Sequence, residues 1–289
     1  MNFTKLQGAG NDFILIEAGG VEQDWSQLAI AMCNRHFGIG ADGLLLLLPS
    51  ETADFQMRMF NPDGSEAEAC GNGMRCLARY VVDKELVPGK FEKTGEILIE
   101  TIVGVRRAII HKEMDRLTKI QVSTGTPKFE AEDIPVVIRR RGVNVKSMLS
   151  SRVTVKGREL LLNFVSVGNP HAVYFWQRPV SEFPLSQIGP VVEHHEMFPN
   201  RTNFEVANVI NRQQIEVRVW ERGAKETMAC GSGACAVAVA ARLHGYIDNV
   251  VDIRLPGGIL GVEWDGVGEV FLSGPAEIVF AGEWLANKT

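Results

Sequence analysis

Two stretches of the chain share one pattern. After Cys70 the apolar residues fall at Met74, Leu77, Ala78, Val81 and Val82. That i, i+3, i+4, i+7, i+8 spacing predicts a helix to about Leu86. After Cys230 the run Ala234–Ala241 is apolar all round, which predicts a buried helix to about His244. Each helix is announced by a cysteine and a Gly-x-Gly: Ala69-Cys70-Gly71-Asn72-Gly73 and Ala229-Cys230-Gly231-Ser232-Gly233.

The other apolar runs have the length of strands. Phe13–Ile16, Leu44–Leu48, Asp54–Met59, Gly95–Thr101, Arg106–His111 and Ile120–Val122 fill the first half. Ile134–Ile138, Arg152–Val155, Leu160–Val167, Ala172–Trp176, Asn203–Asn211, Gln214–Trp220 and a strand-rich tail from Val250 to Ala281 fill the second. Shorter helices are expected at 25–35, capped by Ser26, and at Leu185–Val192. Thr124-Gly125-Thr126-Pro127 breaks the pattern. It divides the chain into a domain of residues 1–122, to which about 278–289 returns, and a domain of residues 123–277.

The halves repeat. One and the same offset leads from Cys70 to Cys230, from Gly73 to Gly233, and from the strand-end residue Asn61 to Glu221. Asn11 and Asn169, each after a glycine, nearly keep it. A constant offset across half a chain marks a duplicated α/β unit, and the expectation is that the two copies face each other. Gly38-Ile39-Gly40-Ala41-Asp42-Gly43 is a literal G-x-G-x-x-G. It follows a helix and precedes a strand, the reverse of the dinucleotide-binding order, so that reading is rejected.

Composition narrows the class. An apolar share of 45%, a charged share of 22% and a net charge of −5 describe a globular chain with no basic footprint for nucleic acid. The opening Met1–Lys5 lacks the apolar core of a signal peptide, and no apolar run approaches the length of a membrane span. Five cysteines is an odd number and reads as cytoplasmic thiols, not a disulfide framework. No C-x-x-C or H-x-x-x-H pair signals a metal site.

A cysteine just ahead of a helix meets unpaired N–H groups and the positive end of the helix dipole, which favours the thiolate. Two such thiols on opposite sides of one molecule suit inversion at a carbon bearing an acidic C–H. One takes the proton and the other returns one to the opposite face. The Gly-x-Gly amides can hold a carboxylate as charge develops. No lysine sits in a phosphate-cradling context, so no pyridoxal cofactor is expected.

Lys5–Phe13, Phe60-Asn61-Pro62-Asp63-Gly64-Ser65-Glu66, Cys70–Gly73, Gly168-Asn169-Pro170-His171, Glu221-Arg222-Gly223 and Ala229–Gly233 together resemble the diaminopimelate epimerase family, from residue 5 to about 280. The resemblance implies an α/β (α+β) fold of two pseudo-symmetric domains. Each is a curved mixed sheet or barrel around a central helix, with the active site in the cleft between the domains. It implies a cytoplasmic, pyridoxal-phosphate-independent enzyme, a homodimer, that interconverts LL- and meso-2,6-diaminopimelate for lysine and peptidoglycan precursors. Cys70 and Cys230 become the acid–base pair. Asn11, Asn61, Asn169, Asn203, Glu221 and Arg222 become substrate contacts, and the amides of Gly71, Asn72, Gly231 and Ser232 the carboxylate holders. Arg222 suits a distal carboxylate. The chain departs from common family members at Gln7, Ala9 and Gly43, and the Arg- and Lys-rich stretch 139–152 reads as a variable loop.

Other readings stand beside these. Most free cysteines are small buried hydrophobes, and Cys33, Cys76 and Cys235 are read so. His171 is as well explained by a hydrogen-bonded turn as by a site. The same architecture could serve a proline or hydroxyproline racemase, or an isomerase of an aromatic acid. A binding or redox protein in which Cys70 and Cys230 form a reversible disulfide is the rival from another class.

Overall fold

A computed structural model describes residues 1–67, 70–87, 94–114, 116–137 and 148–285. Ala69 and most of the stretch 139–152 lie outside the described residues. The chain forms two compact units, Met1–Ser123 with Ser273–Thr289, and Thr124–Leu272.

The first unit holds β1 (Asn2–Gly8), β2 (Asn11–Glu17), α1 (Trp25–Cys33), β3 (Gly43–Leu48), β4 (Phe55–Phe60), α2 (Gly71–Asp83), β5 (Thr94–Thr101), β6 (Gly104–Glu113) and β7 (Arg116–Ser123). The second holds β8 (Ser151–Val155), β9 (Arg158–Ser166), β10 (Pro170–Phe175), α3 (Leu185–Glu193), β11 (Asn203–Asn211), β12 (Gln214–Glu221), β13 (Lys225–Thr227), α4 (Gly231–Leu243), β14 (Val250–Leu255) and β15 (Gly258–Glu263). β16 (Phe271–Ser273) ends where the chain passes back to the first unit, and β17 (Glu277–Glu283) pairs there with β1.

The duplication is visible in the ladders. β1 to β6 pair in sequence, in the order antiparallel, parallel, antiparallel, parallel, antiparallel. β9, β10, β11, β12, β14 and β15 repeat that order of directions. The helices repeat too. α2 and α4 are both 13 residues long, and α1 and α3 both 9 residues. Each pair starts at the offset that separates the two cysteines.

In each unit the sheet curves about one helix. α2 touches β1, β2, β3, β4, β6, β7 and β17, and α4 touches β9, β10, β11, β14 and β15. That is why the run after Cys230 is apolar on every side: Ala234 to Ala241 are all buried. α2 likewise buries Met74, Cys76, Leu77, Ala78, Tyr80, Val81 and Val82. The shorter helices close the outer side: α1 packs with Ile14, Ile16, Leu44 and Leu46, and α3 with Phe164, Phe204, Val206 and Trp220.

Local chemistry corrects several expectations. α1 is capped by Asp24, whose carboxylate accepts from the Gln27 amide, not by Ser26, whose hydroxyl donates to the Gly64 carbonyl. Ile134 lies in a turn and Val136 just after it, their amides bonded back to Glu130 and Ala131, because Pro135 between them has no N–H for a ladder; Ile138 lies outside the described residues. The G-x-G-x-x-G stretch is the wrap after α1. A Cβ on Gly38 would lie 2.2 Å from the Ala31 carbonyl oxygen, and Gly40 has φ of 80°. Its glycines serve the turn into β3.

Candidate active site

The cysteine of each motif is the N-cap of its helix. Cys70 and Cys230 are extended, at φ −146° and −125°. In each case the sulfur accepts from the amide three positions on, Gly73 at 3.2 Å and Gly233 at 3.3 Å. The amides of Gly71 and Asn72, and of Gly231 and Ser232, are the remaining first-turn donors with no acceptor inside the helix. The second glycine of each motif is closely packed. A Cβ on Gly73 would lie 3.0 Å from Leu45 Cδ2, and one on Gly233 2.9 Å from Glu205 Oε1.

Around Cys70 the first unit gathers a polar network. Asn72, 3% exposed, donates to Asn11 Oδ1 at 3.1 Å and accepts from Arg75 Nη2 at 2.8 Å. Asn11 donates in turn to Asp42 Oδ2 at 2.8 Å. Asp42 and Asp12 share Arg35, and Asp12 also receives Lys5 at 2.5 Å. Burial opposes ionisation of Asp12, but hydrogen bonds from Arg35 and Lys5 prevail and hold it down at about 2. Asn61 stands apart, after β4, with its amide donating to Ser65 Oγ.

Around Cys230 the network carries charge. Glu221 accepts from Thr227 Oγ1 and from the Cys230 thiol. Burial pushes the Glu221 carboxyl above the ordinary range, against those hydrogen bonds and the His171 charge. Cys230 is pushed well above a normal thiol, first by burial and then by the charges of Glu221 and Glu205; Ser232 and the Gly233 amide only partly oppose this. The helix terminus was expected to favour the thiolate. Here desolvation and two carboxylates outweigh it, so Cys230 rests as a thiol.

The remaining expected residues divide by role. Asn169 Oδ1 lies 2.8 Å from His171 Nε2. Asn203, 3% exposed, has both ends of its amide on main chain: it donates to the Pro170 carbonyl at 3.0 Å and accepts from the Arg222 amide at 2.9 Å. It ties two loops together. Arg222 is exposed, and its guanidinium donates to the Asn200 carbonyl. Glu205, Thr227 and Asp42 escaped the sequence reading. Glu205 could have been found by the offset, since it stands to Leu45 as Cys230 stands to Cys70, an ionisable residue in a core place.

The other cysteines are core. Cys33 and Cys76 are buried, and burial pushes their thiols up to about 11 and about 12. Cys235 is buried, near Thr124 Oγ1. Among the described residues no group of three or more His, Cys, Asp or Glu could hold a metal ion, and no helix is long and apolar enough to cross a membrane.

Solved structures share the fold. A hydroxyproline epimerase from Agrobacterium vitis aligns with a TM-score of 0.73 at 12% identity, covering 98% of this chain and 91% of that one. A probable proline racemase from Agrobacterium radiobacter K84 aligns at 0.74 with 14% identity, covering 99% and 93%. A PhzF-family phenazine biosynthesis protein from Bacillus anthracis aligns at 0.67 with 16% identity, covering 99% of each. This likeness defines the class of fold, a duplicated α/β unit, and in this chain a cysteine caps the central helix of each copy.

Sequence similarity narrows the class to a family. The sequence model of diaminopimelate epimerase matches residues 3–130 and 163–279. The diaminopimelate epimerase of Moorella thermoacetica is 46% identical over 287 residues, covering 98% of this chain and 99% of its own. Those of Pelotomaculum thermopropionicum and Methanococcus maripaludis strain C6 are 45% and 43% identical with the same coverage. The chain belongs to the diaminopimelate epimerase family.

Proposed function

We propose that the protein interconverts LL- and meso-2,6-diaminopimelate by a two-base mechanism in which Cys70 and Cys230 work on opposite faces of the α-carbon. One observation carries this reading. Both copies of the fold cap the central helix with a cysteine whose sulfur sits on the third amide, so the chain holds the same thiol device twice. One thiolate removes the α-proton, the other thiol supplies a proton to the opposite face, and the reverse reaction exchanges the roles.

An α-C–H is a far weaker acid than a thiol, so the developing carbanion must be stabilised electrostatically. The first-turn amides of Gly71 and Asn72, and of Gly231 and Ser232, are suited to the α-carboxylate. Asn11, Asn61, Asn169, Glu221 and Arg222 are suited to the distal amino-acid head, Arg222 as a fork for its carboxylate. Asn203, whose amide is committed to main chain at both ends, serves by shaping the loops that carry Asn169 and Arg222.

The reading includes catalysis by these side chains without pyridoxal phosphate, in a cytoplasmic homodimer where the thiols stay reduced. The test is direct. The purified protein, freed of pyridoxal phosphate and kept under reductant, is given LL-diaminopimelate, and the meso isomer is followed by chromatography. Formation of the meso isomer supports the reading; inertness toward it with turnover of proline or hydroxyproline contradicts the substrate.

A further inference from the structure

The duplication gives residues in one copy counterparts in the other. In the first unit Phe13 pairs with Gly43 and Leu15 with Leu45. In the second His171 pairs with Asn203 and Val173 with Glu205. Phe13 therefore corresponds to His171, and Leu45 to Glu205. The match extends to packing, because Leu45 and Glu205 each meet the second motif glycine of their helix, at 3.0 and 2.9 Å from its would-be Cβ. All four side chains are fully buried. One copy fills the place beneath its helix with an apolar pair, and the other with a histidine and a carboxylate.

An apolar pair is the cheaper filling, since burying ionisable groups carries a desolvation cost that apolar groups avoid. What the ionisable pair adds is direction. His171 Nδ1 lies 2.7 Å from Glu205 Oε1, and Nε2 lies 2.8 Å from Asn169 Oδ1. With the Asn169 amide oxygen against Nε2, that nitrogen is the one that donates, and Glu205 holds the ring from the other side at Nδ1. An N–H aimed at Asn169 holds the amide oxygen inward and turns the NH₂ outward as a donor. The groups acting on the pair from neighbouring elements are Glu221 on β12 and Cys230 at the head of α4.

We propose that Glu205 is a positioning residue: through His171 it orients the Asn169 amide so that its NH₂ donates to a carboxylate oxygen of the substrate. This rests on Asn169 being a substrate contact.

The test uses three variants of the full chain. Glu205→Leu installs the residue of the first copy, His171→Phe/Glu205→Leu installs the whole apolar pair, and Glu205→Gln keeps a group that can hydrogen-bond Nδ1. Each is measured for thermal midpoint, for KM and kcat on diaminopimelate, and for the ¹⁵N spectrum of its labelled histidines. The wild type should show one ring with its hydrogen on Nε2, assigned by its loss in the double variant, and Glu205→Leu should lose that signature. The double variant should melt near the wild-type temperature and Glu205→Leu below it, because that change leaves His171 Nδ1 without a partner, while KM rises about tenfold or more in both, the size of one lost oriented hydrogen bond to a charged group. kcat should fall less than KM rises, and Glu205→Gln should recover most of the loss in KM. If Glu205→Leu lowers the melting temperature but leaves KM and the His171 signature unchanged, Glu205 is a structural residue and the proposal fails. If the wild type does not turn over diaminopimelate, the functional reading fails, and the ¹⁵N spectra alone decide whether Glu205 sets the state of His171.

Discussion

The amide of Gly233 donates to the sulfur of Cys230 at 3.3 Å, and the same pair recurs in the first copy, as Gly73 and Cys70 at 3.2 Å. What lies beneath the glycine differs. Gly73→Ala would press a methyl against the end of Leu45, which can give, while the helix gains from alanine. Its stability should stay within about 1 kcal/mol of wild type, the scale of a helix-propensity change. Gly233→Ala would press the same methyl against a carboxylate held by His171, so overpacking should cost about 1–3 kcal/mol. Denaturant unfolding of the two variants gives the comparison, and equal losses would show that the paired carboxylate adds no rigidity.

The neighbours of Cys230 predict how it reacts. Burial and the charges of Glu221 and Glu205 hold its thiol above the ordinary range, so iodoacetamide at neutral pH should label it more slowly than free cysteine. Glu221→Gln removes a negative charge beside the sulfur, which favours the thiolate, so labelling at fixed pH should become faster. Mass spectrometry of the Cys230 peptide follows both rates. A slower rate in Glu221→Gln would mean that the carboxylate acts as a base toward Cys230 in the resting protein.

Asp12 predicts a pH dependence of stability. Its carboxyl is lowered from 3.8 to about 2 in the fold, against burial, by Arg35 and Lys5. A depressed carboxylate adds stability that is complete above its unfolded value and is lost as pH falls through the folded one. That contribution should fade from about pH 4 down to pH 2, and Asp12→Asn should flatten that part of the curve. Thermal melts of both proteins across pH 2–6 measure the difference. Parallel curves would mean that the ion pairs add nothing.

Asn203 is committed to the main chain of Pro170 and Arg222. Asn203→Ala leaves a carbonyl and an amide without that partner and should cost about 1–3 kcal/mol. KM should rise as well, because the loops carrying Asn169 and Arg222 lose their tie. Asn203→Asp, which still accepts from the Arg222 amide but sets a carboxylate oxygen against the Pro170 carbonyl in a buried site, should lose at least as much stability. If Asn203→Ala lowers activity with no loss of stability, Asn203 touches substrate instead.

Much of this was legible in the chain. The offset shared by the cysteines, Cys70 to Cys230, and by the glycines, Gly73 to Gly233, carried the duplication. The helical spacing after each cysteine carried the central helices. Glu205 was lost because Asn203–Ala207 is buried throughout. On a strand covered on both faces, alternation no longer says which way a side chain points. The three residues of β13 have no apolar pattern, and Asp24 and Ser26 are both residue types that cap a helix. The pull on Cys230 away from the thiolate comes from carboxylates on β11 and β12 that only folding brings to the helix terminus.

Exchange of the α-proton in heavy water tests the central claim most directly. LL-Diaminopimelate is incubated with the wild type, Cys70→Ser and Cys230→Ser under reductant, and deuterium at the α-carbon of each isomer is followed by mass spectrometry. Two thiols on opposite faces predict deuterium in the inverted product of the wild type and a loss of about 10²–10⁴-fold in epimerisation for each variant. Near-normal epimerisation by either variant would contradict the account and return both cysteines to the role of helix caps.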